Sequence, residues 1–301
     1  MDIWKSEVWK DKYKDHNVRK GLRLKFDRGI DEKLKTGFKE YCRWLRSEYT
    51  FPIRVPVYVK NFKKIKAMDG EYVFGTFLGP FNFLEEPYVR VAAGDFKESF
   101  EEMGEQAVYQ YLCTLTHELT HYFQWLNNSE LTQIGKERQA TITADRIVQR
   151  YVDAKYEEKQ QFLHKLEQSA KRREINEAEI DKLRKIAFED DVNNKILIAR
   201  ILEESKLIES EKILLHLTKD IDDVVRMEAC NALSNSDSLE VYEALKEFAS
   251  KDSVGMVRGY AIVALGDVAV EINKEKEATK FLKNLLKREK TDFAIIDIWA
   301  V

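Results

Sequence analysis

The distribution of proline and glycine constrains this chain more than any other feature. All four prolines (Pro52, Pro56, Pro80 and Pro87) precede residue 90, and neither proline nor glycine occurs between Gly135 and Gly255. Proline lacks the amide hydrogen that a helix needs, and an internal glycine costs a helix about 1 kcal/mol. Their absence permits long uninterrupted helices, so residues 100–301 are expected to be almost entirely helical.

The first hundred residues read differently. Ile30, Leu34, Phe38, Tyr41 and Leu45 recur at helical spacing and predict a helix over 30–48. Three β-rich stretches follow, Ile53–Lys60, Tyr72–Leu78 and Tyr88–Ala93, each bounded by Pro, Gly or Asp. Pro56 inside the first stretch predicts an edge strand or a bulge. The expected fold class is α+β: a helix and a short mixed sheet leading into helices, then a helical second half.

That second half repeats itself. Asn194–Leu202 aligns with Val225–Leu233 and then with Val257–Leu265, at offsets of 31 and 32 residues. A second amphipathic stretch follows each unit, at Ile208–Leu217, Leu239–Phe248 and Ala278–Leu286. The shared pattern is Val-Arg-x-x-Ala-x-x-Ala-Leu, with Asp222 and Asp252 a few residues ahead of it. It resembles HEAT-type helical repeats, in a variant shorter than the usual ~40 residues. The resemblance implies a solenoid in which each unit buries its apolar face only by stacking on the next. A further unit is expected to begin at Thr291 and to act as a cap. The domain reading is 1–155 for the α+β part, 156–190 for a helical linker and 191–301 for the repeats.

Composition narrows the function. Fifty basic residues against 53 acidic ones leave a net charge of −3, so bulk charge does not suggest a nucleic-acid binder. The densest basic run, Lys171–Arg173, is followed at once by acidic residues and reads as a solvated helix face. Three scattered cysteines give no disulfide framework. The N-terminus lacks a signal-like apolar stretch and no apolar run approaches the ~20 residues that span a bilayer. A cytoplasmic protein with no membrane partner is expected. The abundant aromatics, among them Trp4, Trp44, Tyr122, Phe123 and Trp125, read as core.

The chemistry-bearing motif is HELTH at residues 117–121, in the middle of an expected helix over 105–127. His117 and His121 are four residues apart and therefore share one helix face, a spacing at which two imidazoles can bind one Zn2+. Glu118 lies about 100° further round the helix and can act on a water beside the metal as general base. A third ligand should come from a following helix, and the segment Glu137–Asp145 begins 16 residues after His121. Cys113, one turn before His117, could be imagined as a nucleophile but reads as a small buried residue.

HExxH followed by a helix carrying Glu-x-x-Ala-x-x-x-Ala resembles the gluzincin branch of zinc peptidases, in particular minimal gluzincins and the ImmA/IrrE-type repressor-cleaving enzymes. The resemblance covers roughly residues 30–155 and implies a zincin-like fold with Glu137 as third ligand. Ala140 and Ala144 fit the close helix crossing of that family. One departure stands out: many gluzincins carry Asp four residues after the ligand Glu, and this chain has Thr141. Asp145 shares the face of Glu137 and Thr141, and could support the histidines or replace Glu137 as ligand. Glu130 in the intervening loop is a more remote alternative. The strand Tyr88–Ala93 stands where related enzymes pair with extended substrate. Tyr151, Arg150 and His164 are candidate oxyanion donors, none of them selected by the sequence.

The expected function is zinc-dependent endopeptidase activity, with the HEAT-like repeats binding a protein substrate or regulator. The alternative is a non-catalytic repeat scaffold whose metal site is structural or inactive. A nucleic-acid cradle would need Lys and Arg gathered on one face, which the mixed charges of residues 190–290 do not provide.

Overall fold

The computed structural model describes residues 2–12, 19–68, 70–82, 85–170, 175–189, 191–205, 207–288 and 294. The chain divides into two units, Met1–Tyr156 and Glu157–Val301.

In the first unit a short 3-10 turn (Ile3–Lys5) and a single-turn helix α1 (Trp9–Lys12) precede the sheet. Strand β1 (Leu22–Phe26) is followed by helix α2 (Glu32–Glu48), whose first turn is capped by Asp31 accepting from the Lys33 amide at 2.7 Å. Then come β2 (Val55–Lys60), β3 (Ile65–Lys66), β4 (Tyr72–Val73), β5 (Gly75–Leu78) and β6 (Tyr88–Ala92). The main sheet runs β1-β2-β6-β5, and β3 and β4 form a separate hairpin. β1, β2 and β6 are parallel, and β5 runs antiparallel to β6 along the edge, with Gly75 opposite Val91. Val55, Val57 and Val59 of β2 and Val89 and Val91 of β6 are fully buried, as strands of a parallel sheet require.

Four readings of the sheet need correction. β1 was not anticipated, although Leu22, Leu24 and Phe26 alternate with Arg23 and Lys25. Because β1 pairs with β2, Pro56 lies in an interior strand rather than at an edge. Its position is tolerable for a local reason. The Val55 amide donates toward β1, to the Gly21 carbonyl, so by alternation the Pro56 nitrogen faces β6, whose pairing with β2 begins only at Val57. β6 is paired on both sides and has no free edge for an extended partner; the edge strands of the main sheet are β1 and β5, of which β5 lies beside α4. The run Tyr72–Leu78 breaks at Phe74 into strands of two different sheets.

Helix α3 (Phe96–Met103) turns into α4 (Glu105–Leu126) at Gly104, whose φ of 59° favours glycine. α4 lays Leu112, Leu115, Leu119, Tyr122, Phe123 and Leu126 on the core, against the buried face of α2 and the sheet. Helix α5 (Gln133–Ala170) contributes Ile147, Val148 and Tyr151 to the same core, and the boundary between the two units falls within it.

The second unit contains α6 (Glu177–Glu189), α7 (Val192–Leu202), α8 (Ile208–Leu217), α9 (Asp223–Ala232), α10 (Leu239–Lys251), α11 (Gly255–Glu271) and α12 (Glu275–Leu286). α7, α9 and α11 pack successively on one another, and α6, α8 and α10 pair with them. The stretch read as a linker therefore holds α6, which packs on α7 and α8. Ala229 and Ala261 of the repeated motif are fully buried, letting the helices approach closely. Asp222 caps α9, accepting from the Val224 and Val225 amides at 3.0 and 3.2 Å. The repeated cation ties each unit to the next: Lys195 Nζ reaches Asp220 at 2.7 Å, and Arg226 holds Asp252 through two bonds of 2.9 and 3.2 Å. The expected cap from Thr291 and the basic run Lys171–Arg173 lie outside the described residues, Ala294 excepted. Among the described residues no helix is long and apolar enough to cross a membrane.

Candidate metal centre

Two buried threonines fix the rotation of α4. Thr116 donates its hydroxyl to the Leu112 carbonyl and accepts from the Tyr41 hydroxyl at 2.6 Å. Thr120 donates to the Thr116 carbonyl and accepts the Trp4 indole N–H at 3.0 Å. The Tyr122 hydroxyl donates to the Ile53 carbonyl at 2.8 Å. With that side of the helix pinned, His117 and His121 emerge on the other side, partly exposed.

There the two imidazoles meet the carboxylate of Glu137 from the start of α5. His121 Nε2 lies 3.1 Å from His117 Nε2, His117 Nε2 lies 3.2 Å from Glu137 Oε2, and His121 Nε2 lies 3.5 Å from Glu137 Oε1. Ligands about 2.0–2.1 Å from a tetrahedral zinc stand roughly 3.3–3.4 Å apart, the edge of that tetrahedron. The three separations bracket this value, and the two-nitrogen, one-carboxylate donor set is one that zinc accepts. His117, His121 and Glu137 thus fit a zinc ion. Burial, reinforced by neighbouring His121, lowers the His117 pKa and favours the neutral imidazole that a metal requires.

Gln124, which sequence reasoning missed, positions His121. Its side-chain oxygen sits 2.8 Å from His121 Nδ1, while its amide nitrogen donates to the Lys136 carbonyl at 2.9 Å and to Gln139 at 3.0 Å. With the amide nitrogen so committed, the oxygen must accept from Nδ1–H, which directs the Nε2 lone pair at the cluster. The signal was its place one turn after His121. Gln124→Leu is expected to weaken zinc binding about 10–100-fold, measurable by competition with a chromogenic chelator.

Glu118 is buried, and its carboxyl is accommodated by the backbone of β5. A β-carbon at Gly75 would fall 2.6 Å from Glu118 Oε1 and 2.7 Å from its Cγ. Glycine at 75 therefore gives the carboxyl its place, a requirement that only the tertiary structure reveals. Gly75→Ala is expected to displace the Glu118 carboxyl and to leave zinc binding by His117, His121 and Glu137 unchanged, as read by competition with a chelator.

Burial, followed by repulsion from Glu137, raises the Glu118 pKa from 4.5 to about 8. Because the folded value exceeds the unfolded one, the metal-free protein should lose stability as pH rises from the unfolded value through about 8. The loss is on the order of 4 kcal/mol, and Glu118→Gln should remove it. Urea unfolding of both chelator-treated proteins between about pH 5 and about pH 9 reads the difference.

The remaining candidates separate from the cluster. Asp145 lines the same cavity but accepts the Tyr109 hydroxyl at 2.8 Å, and lies outside the group of three donors. Thr141 turns its hydroxyl back to the Glu137 carbonyl, and Glu130 is exposed and apart from the group. Tyr151 packs on Tyr41 and Trp44, and Arg150 is engaged with Tyr49 and Glu48. His164 contacts Gln168 within the second unit. Cys113 is partly exposed rather than buried and faces the cavity, where burial and then Asp145 push its thiol up to about 11 and so disfavour the thiolate.

A family model described as HEAT repeats matches residues 180–266, from within α6 through most of α11. No curated protein and no solved structure matches the chain. The match begins ahead of residue 191, where the repeats were expected to start, because α6 is a helix of the same stack. The C-terminal part of this chain is built of HEAT repeats.

Proposed function

We propose that the first unit is a zinc-dependent endopeptidase and that the HEAT repeats bind its protein substrate or a regulator. The observation that carries the reading is the convergence of His117, His121 and Glu137, whose donor atoms all lie within 4.8 Å of one another. When bound, zinc would polarise a peptide carbonyl and bring the pKa of a coordinated water down toward about 7.

The chain's own residues supply the rest. Glu118 accepts a proton from the attacking water and delivers it to the departing amine nitrogen. Its burial favours this role, since a desolvated carboxylate holds a proton far more readily than an exposed one. β5 supports peptide as the substrate. Among the described residues no strand pairs with its outer edge, and an extended segment can add to such an edge as a further strand. Cavities of about 850 and 600 Å³ share Phe77 and Glu137, so the groove continues past the cluster in both directions and favours cutting within a chain.

The HEAT match favours protein binding by the C-terminal part, because stacked repeats offer extended surfaces. Such recognition would give an open groove the selectivity that a cytoplasmic protease needs. The same match is the one observation favouring a purely non-catalytic scaffold. Elemental analysis and a peptide digest decide between them. The peptidase should carry zinc and cut peptides until a chelator is added; a protein with neither property is the scaffold.

A further inference from the structure

Two cavities flank the cluster. Cavity walls succeed one another in the same order on α4 and on the segment that starts with β5. The larger cavity is lined by Cys113, Thr114 and His117 on one side and by residues 73–78 on the other. The smaller one is lined by His121, Gln124 and Trp125, with Phe77 and residues 79–81 opposite. Aromatic rings line both, Phe74, Phe77 and Tyr88 in the larger and Phe77, Phe81 and Trp125 in the smaller, and only the smaller one adds a lysine, Lys136.

The aromatic wall of the smaller cavity is fixed in place. The Trp125 indole donates to the Pro80 carbonyl at 3.1 Å, and its ring stands 6.2 Å from that of Phe77. Gly79 fills the space between them: a β-carbon there would come within 2.5 Å of Trp125 Cδ1 and 2.9 Å of Phe77 Cε1. Phe81, at the rim, is fully exposed at 106%. Leaving a whole phenyl ring in water beside two half-covered ones forgoes burial worth about 1.5–3 kcal/mol per side chain. Lys136 lines the same cavity, and its ammonium has no side-chain partner among the described residues.

We propose that the cavity beside His121 is a specificity pocket for an aromatic side chain of the substrate peptide. Phe77, Phe81 and Trp125 offer edges and faces to a fourth ring, and the unengaged Lys136 can sit over that ring. A branched aliphatic side chain would gain the burial but neither the ring–ring nor the cation–π attraction. An acidic side chain would pair with Lys136 but would leave the rings uncovered. The pocket rests on the peptidase reading for its substrate, although binding can be measured without turnover.

The test uses the full chain loaded with zinc and a mixture of capped decapeptides randomised at every position. Cleavage products of the wild type are sequenced by mass spectrometry, and peptides retained by zinc-loaded Glu118→Gln are sequenced in parallel. Phe, Tyr and Trp should be enriched at one position beside the cut and among the retained peptides. Phe81→Ser, a change at a fully exposed ring that leaves the fold untouched, should reduce the enrichment about threefold to tenfold, as should Lys136→Gln. Enrichment of Leu or Glu instead, or aromatic enrichment indifferent to both variants, overturns the pocket while cleavage sustains the peptidase. Aromatic enrichment in retention with no cleavage by the wild type sustains the pocket and overturns the peptidase. Neither retention nor cleavage overturns both.

Discussion

Glu118→Gln is expected to keep its zinc and to lose turnover by about 10²–10⁴-fold, the contribution of a positioned general base. The substitution is nearly isosteric, so the carboxamide can occupy the space over Gly75 that the carboxyl holds now. It removes the proton acceptor without disturbing His117, His121 or Glu137. Steady-state hydrolysis of a fluorogenic peptide, with zinc quantified on the same samples, reads both quantities. A variant that loses zinc along with activity would place Glu118 among the ligands. A variant with full activity would remove it from the chemistry.

The second large effect concerns stability. A ligand that binds only the folded state stabilises it by about 4 kcal/mol at 1,000 times its Kd. For a unit the size of the N-terminal one, this corresponds to a rise in Tm on the order of 10 °C. The rise should appear when zinc is added to chelator-treated protein and be absent in His117→Ala, His121→Ala and Glu137→Ala. Removing Glu130 should leave it intact, and so should Asp145→Asn, since neither carboxylate joins the cluster. Scanning calorimetry across a zinc titration measures it. A uniform response in all five variants would show that zinc acts elsewhere.

How much of this was legible beforehand depended on how local each cause is. The α4 stripe could be read because Leu112, Leu115, Leu119 and Leu126 recur at helical spacing, and the two histidines follow from the same period. The repeats were visible because a period of 31 or 32 residues places Leu202, Leu233 and Leu265 in register, and Ala229 with Ala261. The stretch holding α6 was legible as helical, but its place in the stack was not, because it lacks that motif and is recognised only by what it packs against. β1 escaped because its two cations masked a short alternation, and without β1 the place of Pro56 could not be judged. Glu137 was reached through likeness to a family. Gln124 and Gly75 were not reached, because their importance arises where α4 meets α5 and β5, a meeting that no window of sequence contains.

The buried threonines of α4 carry a consequence for metal exchange. Thr116 and Thr120 moor the helix to Tyr41 and Trp4 on the side facing away from the histidines. The donor triangle is thereby held open by interactions that owe nothing to a cation. Zinc would enter as a guest of a finished fold, unlike in small metal-nucleated domains that collapse only around their ion. Far-ultraviolet circular dichroism should be the same with and without zinc at room temperature, and loading should proceed without a refolding phase.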